Sequence, residues 1–240
     1  MEAPRLTPVM AEYLETIYNL AMEGEVVIGA RLAERFDVAP PTVTETLKRL
    51  VRDGFVEMDD RRHVTLTPQG IEEAERILRR HRLTERLLVD LLGMPWHAVH
   101  EEALRLEHQI SGAVEQRVVA ALGQPTTCPH GNPIPGAVPN ARAYLAEKRA
   151  FRLDAADFGR EVELLLVSEV VEDEEELIRY LHERGITPGT RLRLAAPLAS
   201  DASEAEVTLL VGERPVTVAR RVAHALWVVQ PVALEAGSGR

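Results

Sequence analysis

The Ala39-Pro40-Pro41 step restricts the fold more than any other feature of the chain. Proline fixes its own φ and pushes the residue before it out of helical geometry, so the pair can end one helix or open another but cannot lie inside one. On the near side, Gly29 to Phe36 places Leu32, Ala33 and Phe36 on one helical face. On the far side, a helix through Asp53 turns Val43, Leu47 and Leu50 inward, and Gly54 closes it. Two short helices broken this way must fold their apolar faces against each other. Upstream, residues 7–22 read as a further helix, with Thr7 as cap, Pro8 in the first turn and Leu14, Ile17, Tyr18 and Ala21 at helical spacing. Downstream, Phe55 to Thr67 alternates as a strand pair around an Asp59-Asp60-Arg61-Arg62 tip, which reads as a hairpin.

Helix, helix, turn, helix, hairpin is the order of a winged helix-turn-helix, whose second paired helix enters the major groove while the hairpin tip reaches phosphate. The outward residues after the double proline suit that task. Pro41, Thr42, Thr44, Glu45, Lys48, Arg49 and Arg52, with Arg62 on the hairpin, offer short hydroxyls and long cations for bases and backbone. The net charge of -10 argues against DNA only if evenly spread. Here the cations cluster around this helix and hairpin, while the acidic excess is heaviest at 172–176.

A long helix from Pro68 to about Leu92 follows, then helices at Pro95–Gln109 and Ser111–Leu122. Their apolar positions, among them Ile77, Leu87, Leu88, Leu91, Val99, Leu104, Val114 and Val118, suffice for an interhelical core and a homodimer seam. Residues 123–140, rich in proline and glycine, read as a loop or linker. After a short helical stretch at Arg142–Arg152, strands are expected at Glu163–Val170, Arg191–Ala195, Val207–Val211, Val216–Val218 and Ala225–Val232, interrupted only by a helix at Glu174–Arg184. The expected fold is mainly α with a small β-barrel. Its domains are a winged helix over 1–70, a helical segment over 71–140 and the barrel over 155–234. No apolar run is long enough to span a membrane, no leader pattern opens the chain, and the single Cys128 fits a reducing compartment, so a cytoplasmic protein is expected.

Three helices carry imidazole and carboxylate at ligand spacing. His81 and Glu85 are four apart; His100, Leu104, Glu107 and His108 share a face; Glu12 and Glu15 are three apart. Such donors suit manganese, iron, zinc or cobalt, and a set without thiolate leans toward the harder ions. Cys128 and His130, in a Cys-Pro-His-Gly turn with no second cysteine, read as a structural loop. Neither an HExxH motif, a nucleophile elbow nor a Gly-rich phosphate loop occurs, which weighs against a metallohydrolase. A winged-helix regulator sensing an organic ligand is the other alternative.

The segments Tyr13-Leu14-Glu15-Thr16-Ile17-Tyr18, Pro41-Thr42-Val43, His81-Arg82-Leu83-Thr84-Glu85-Arg86-Leu87-Leu88, His100-Glu101-Glu102-Ala103 with Glu107-His108, and Gly131-Asn132-Pro133-Ile134-Pro135 resemble the diphtheria toxin repressor family, which includes iron-dependent repressors and manganese transport regulators. The resemblance implies a repressor of manganese and iron homeostasis that is not an enzyme. It implies that the metal-loaded homodimer binds a palindromic double-stranded operator, and that no small organic substrate is involved. It further implies metal binding and dimerisation by the helical segment, and an SH3-like, FeoA-like C-terminal domain. Two divalent-metal sites follow from it. The primary would use Glu12, Glu107 and His108 with the carbonyl of Leu104, and Glu15 as a lesser ligand. The ancillary would use His81, Glu85 and His100, completed by Asp173 and Glu176. Iron-type members carry methionine at the position of Glu12 and cysteine at that of Leu104, and manganese-type members carry carboxylates at both. This chain has one carboxylate and a leucine, which favours Mn2+, with Fe2+ the other candidate. Glu45 stands where the iron-type repressors read bases with glutamine.

Overall fold

A computed structural model describes residues 6–170, 174–196 and 205–231. The chain divides into two compact units. One runs up to Tyr144 and includes Glu169–Arg179; the other is Leu145–Ser168 with the chain from Tyr180 onward.

In the first unit, α1 (Pro8–Met22) starts where the Thr7 hydroxyl accepts from the Met10 amide at 3.3 Å, and Pro8 costs nothing because its N–H would be unpaired there. Then come α2 (Gly29–Arg35), α3 (Pro40–Arg52) and an antiparallel pair, β1 (Val56–Met58) with β2 (Val64–Leu66). The wing tip is tight. The Asp59 carboxylate accepts from the amides of Arg61 and His63 at 2.9 and 2.8 Å, and Arg62 adopts φ 64°. Tyr13, Leu14, Ile17 and Tyr18 of α1 share one core with Leu32, Val43, Leu47, Leu50, Phe55, Val64 and, from α4 (Pro68–Arg86), Ala74 and Leu78. Gly70, in the first turn of α4, lies so close to the Phe55 carbonyl oxygen that any Cβ would collide with it.

The long helix expected to Leu92 changes at Arg86 into a π-helical turn, Leu87–Leu91. The helix expected at Pro95–Gln109 is three pieces: a 3-10 turn at Trp96–Ala98, α5 (His100–Leu106) and a second 3-10 turn at Glu107–Gln109. α6 (Gly112–Ala121) opens on a Ser111 cap. Residues 123–140 are a loop, as expected, but a packed one and not a linker. Cys128, His130, Asn132 and Ile134 are buried, and the Cys128 amide donates to the Asn132 carbonyl at 2.8 Å. α7 (Ala141–Glu147) follows.

The second unit is a six-stranded antiparallel sheet. β3 (Phe151–Arg152), β4 (Glu161–Val167), β5 (Arg191–Leu194), β6 (Glu206–Val211), β7 (Arg214–Ala219) and β8 (Leu226–Val229) are ordered β3-β8-β4-β5-β6-β7. α8 (Glu174–Glu183) falls between β4 and β5 in the chain, its residues up to Arg179 belonging to the first unit, and α9 (Arg220–Ala225) links β7 to β8. Alternation of Val162, Leu164 and Leu166, of Leu192 and Leu194, and of Val216 and Val218 builds the buried face. A two-residue turn at Gly212-Glu213 joins β6 to β7, with Gly212 at φ 63°. The expected closed barrel is not formed: among the described residues, edge strands β3 and β7 do not pair with each other. Residues 220–225 are helical, so the strand expected from Ala225 begins one residue later, at Leu226. No helix among the described residues is long and apolar enough to cross a membrane.

Candidate metal centre and nucleic-acid interface

Helical periodicity puts His81 and Glu85 on one face of α4, and that face is turned inward. The Oε1 atom of Glu85 is a hub, with His81 Nε2 at 3.3 Å, His130 Nδ1 at 3.2 Å and His100 Nδ1 at 3.7 Å. The other oxygen, Oε2, is buried without a hydrogen-bond partner. Cys128 Sγ lies 3.9 Å from His130 Nδ1. Two donor triads therefore meet at Glu85. One is His81, Glu85 and His100; the other is Glu85, Cys128 and His130, and in each the ligand atoms lie within 4.8 Å of one another.

Outer contacts orient two of the imidazoles. His130 Nε2 is 2.9 Å from the Trp96 carbonyl, which can only accept, so Nε2 carries the proton and Nδ1 faces Glu85 and Cys128. His81 Nδ1 is 2.7 Å from Glu107 Oε2, leaving Nε2 for Glu85. Burial opposes charge on His81 and His130, but the Glu85 carboxylate, joined by Glu107 at His81, overrides it and holds both well above the usual imidazole range. Burial likewise opposes charge on Glu85, and the neighbouring His130 and His81 override it, holding its carboxyl well below the usual range. Burial, with Glu85 adding to it, raises the Cys128 thiol. Protons on buried imidazoles thus balance a buried carboxylate. An orphaned carboxylate oxygen among nitrogen and sulfur donors, with second contacts already in place, fits a divalent cation that would replace those protons.

Beside this cluster, Glu107 is buried, and His108 Nε2 lies 3.5 Å from Glu107 Oε1 on a largely exposed ring. Glu15 keeps part of its surface in solvent, but its carboxyl is enclosed. That burial, opposed by His81 and reinforced by Glu107 and Glu169, pushes its pKa up to about 8. Glu12, one turn earlier on α1, is exposed, as is Leu104. Glu12, Glu107 and His108 do not form a cluster of the kind found at Glu85. Glu176 is exposed on α8, and Asp173 lies outside the described residues.

Two groups lie outside the ligand sets expected from the sequence, where Cys128 and His130 read as a structural loop. Cys128 and His130 sit in a turn without periodicity, so only the fold reveals that their loop returns to α4. Glu169 is the other. It forms a two-point ion pair with the buried Arg82, at 2.6 and 3.1 Å, and accepts from Asn19 of α1 at 3.0 Å. Arg82 also donates to Asn19 Oδ1 at 3.1 Å and to the Pro133 carbonyl at 2.7 Å. No sequence signal marks a lone glutamate after a strand.

Pro41, Thr42, Thr44, Glu45, Lys48, Arg49 and Arg52 are all exposed on α3, and Arg62 is exposed on the wing. Thr44 donates to the Pro40 carbonyl at 3.0 Å, Lys48 pairs with Glu45 at 2.7 Å, and Arg52 pairs with Asp53 at 2.7 Å.

A two-stranded wing behind an exposed, cation-bearing helix, in one unit with a buried imidazole–carboxylate cluster, is the arrangement of a winged-helix DNA-binding protein with a candidate metal centre. Residues 5–64 match the family model "Iron dependent repressor, N-terminal DNA binding domain", and residues 67–136 match "Iron dependent repressor, metal binding and dimerisation domain". The chain is 40% identical over 223 residues to the iron-dependent repressor IdeR of Mycobacterium leprae, covering 90% of this chain and 94% of that one. It is 38% identical over 187 residues to the diphtheria toxin repressor of Corynebacterium diphtheriae, covering 76% and 82%. Among solved structures, a manganese-dependent transcriptional repressor in complex with manganese superposes with a TM-score of 0.76 at 32% identity, over 92% of this chain and all of the other. The chain belongs to the iron-dependent repressor family and is a metal-dependent, DNA-binding transcriptional repressor, not an enzyme.

Proposed function

We propose that this repressor is activated by manganese or ferrous iron and binds a palindromic operator as a metal-loaded homodimer in the cytoplasm. The observation that carries the metal reading is the unpartnered Oε2 of Glu85, buried between His81, His100, Cys128 and His130. Leaving a carboxylate oxygen buried and unpaired costs free energy that a ligand at this position would recover. A bound divalent cation supplies the positive charge that imidazole protons supply without it.

Two sites per protomer are proposed. The ancillary one is formed by His81, Glu85 and His100, with Cys128 and His130 added to the set and with Asp173 and Glu176 as further candidates. The primary one is formed by Glu107 and His108 with a carboxylate of α1, Glu12 or Glu15, and the Leu104 carbonyl. Glu107 touches both His81 and His108, so it couples the two. Oxygen and nitrogen donors at the primary site suit manganese, while the Cys128 thiol adds affinity for softer ions at the other. α1 carries Glu15 toward this region and Leu14, Ile17 and Tyr18 into the winged-helix core. Fixing α1 therefore also fixes α3, and coupling of about 1–3 kcal/mol between metal and operator is expected. The domains are proposed as 1–70, 71–140 and 155–234, the last SH3-like.

The test is operator binding by full-length protein with manganese, with ferrous iron under anaerobic conditions, and after chelation. Binding that requires either ion supports the reading. Equal specific affinity without metal overturns it.

A further inference from the structure

We propose that the Glu45–Lys48 ion pair on α3 reads a C·G base pair in the major groove, Glu45 accepting from the N4 amino group of cytosine and Lys48 donating to the guanine edge. This rests on α3 being the helix that enters the groove.

Glu45 is the one acid in α3, on a face otherwise made of threonines and cations. A lone carboxylate there would be repelled by every nearby phosphate. Lys48 Nζ removes that penalty, lying 2.7 Å from Oε1 one helical turn away, and the neutral pair can approach the duplex. Both side chains remain about two-thirds exposed, at 65% and 67%. Neither Oε2 of Glu45 nor the remaining ammonium protons of Lys48 have a partner among the described residues. The neighbours are more committed: the Thr44 and Thr46 hydroxyls donate back to the Pro40 and Thr42 carbonyls, and Arg52 is held on Asp53.

A carboxylate can only accept, and the major groove offers it two donors, cytosine N4 and adenine N6. Adenine N6 stands beside the acceptors N7 and, across the pair, thymine O4, both of which repel a carboxylate. Cytosine N4 has a C5–H on one side and guanine O6 on the other. That O6, with N7, is what an ammonium group at Lys48 satisfies. The acceptor-then-donor order of the ion pair therefore matches the donor-then-acceptor order of the C·G edge; the A·T edge offers N6 and then O4 in the same order, but its N7 puts a second, uncompensated acceptor beside the carboxylate.

Duplexes with randomised half-sites, selected by full-length manganese-loaded protein, test this for wild type, Glu45→Gln, Glu45→Ala and Arg49→Ala. Wild type should select C·G at one position per half-site, and T·A there should weaken binding on the order of tenfold. Glu45→Gln should admit adenine at that position, because an amide can donate to N7 while accepting from N6. Glu45→Ala should lose preference at that position alone. Identical preferences in the first three proteins, with Arg49→Ala still weakening all sequences, would overturn the base assignment and leave α3 in the groove. An Arg49→Ala protein that binds as wild type, together with those identical preferences, would remove both.

Discussion

At Glu15 and Glu85 the same chemistry, a carboxyl taken from water, has opposite outcomes. Glu85 is surrounded by imidazoles and stays ionised; Glu15 faces Glu107 and Glu169 as well as His81, and its pKa rises to about 8. Its folded-state value thus exceeds the unfolded value near 4.5. The folded protein holds a proton that the unfolded chain releases, so this site destabilises the metal-free fold progressively as pH climbs from about 4.5 to 8. Glu15→Gln should raise the melting temperature of chelated protein at pH 8 by several degrees and have little effect at pH 5, as scanning calorimetry would show. A uniform shift at both pH values would contradict the burial argument. Metal affinity has its own pH dependence. His81 and His130 hold protons above the usual imidazole range, and a cation must displace them, so affinity should rise with pH and binding should release protons. Calorimetric titration in buffers of different ionisation enthalpy measures that release; none would mean that the imidazoles are not ligands. The helical pair His81–Glu85 was legible because four residues make one turn. Cys128 and His130 were not, because nothing in a Pro/Gly turn states which helix it will meet.

Among the elements, α4 connects the most. Gly70 seats it against the hairpin, Ala74 and Leu78 enter the winged-helix core, and Arg82 ties α1, the 133 carbonyl and Glu169 together. Arg82 is buried, and its removal leaves Glu169 a buried unpaired anion. Arg82→Ala should cost about 3–5 kcal/mol in denaturant unfolding, and adding Glu169→Ala should restore part of it. A double variant no better than the single would mean the pair is not the source of the cost. Secondary structure at this scale was well marked in the sequence wherever a cap or proline punctuated it, at Thr7, Pro40 and Pro68. It failed where tertiary packing decides. The segment at 95–109 satisfies helical periodicity yet is split into three short helical pieces that place His100 and Glu107 against α4. The closure of a sheet depends on edge pairing between β3 and β7, some 60 residues apart, which strand-by-strand alternation cannot encode.

For the whole molecule, the acidic net charge of -10 and the cationic face of α3 are reconciled by where the charges sit, and the remaining requirement is a second copy. One recognition helix contacts too few base pairs for regulatory selectivity, so two are expected to engage half-sites about one helical turn apart or a multiple of it. The surface available for pairing is apolar. Leu87, Leu91, Ala113, Val114, Val118 and Ala121 line a shallow groove between the π-helical turn and α6, with Leu91 49% and Val114 48% exposed. These lie within the segment matched to the metal binding and dimerisation domain. A buried glutamate there would face its own symmetry mate across a two-fold axis, where both desolvation and like-charge repulsion oppose association. Val114→Glu should therefore give a folded monomer by sedimentation, because the position is exposed in the single chain and its substitution spares both cores. Metal should still bind to the variant, since no ligand lies on α6, but operator affinity should fall by at least tenfold even with saturating manganese. The combination is diagnostic. Loss of metal binding together with loss of dimerisation would place a ligand on or across this seam, and a fully dimeric Val114→Glu protein would move the two-fold axis elsewhere on the helical segment.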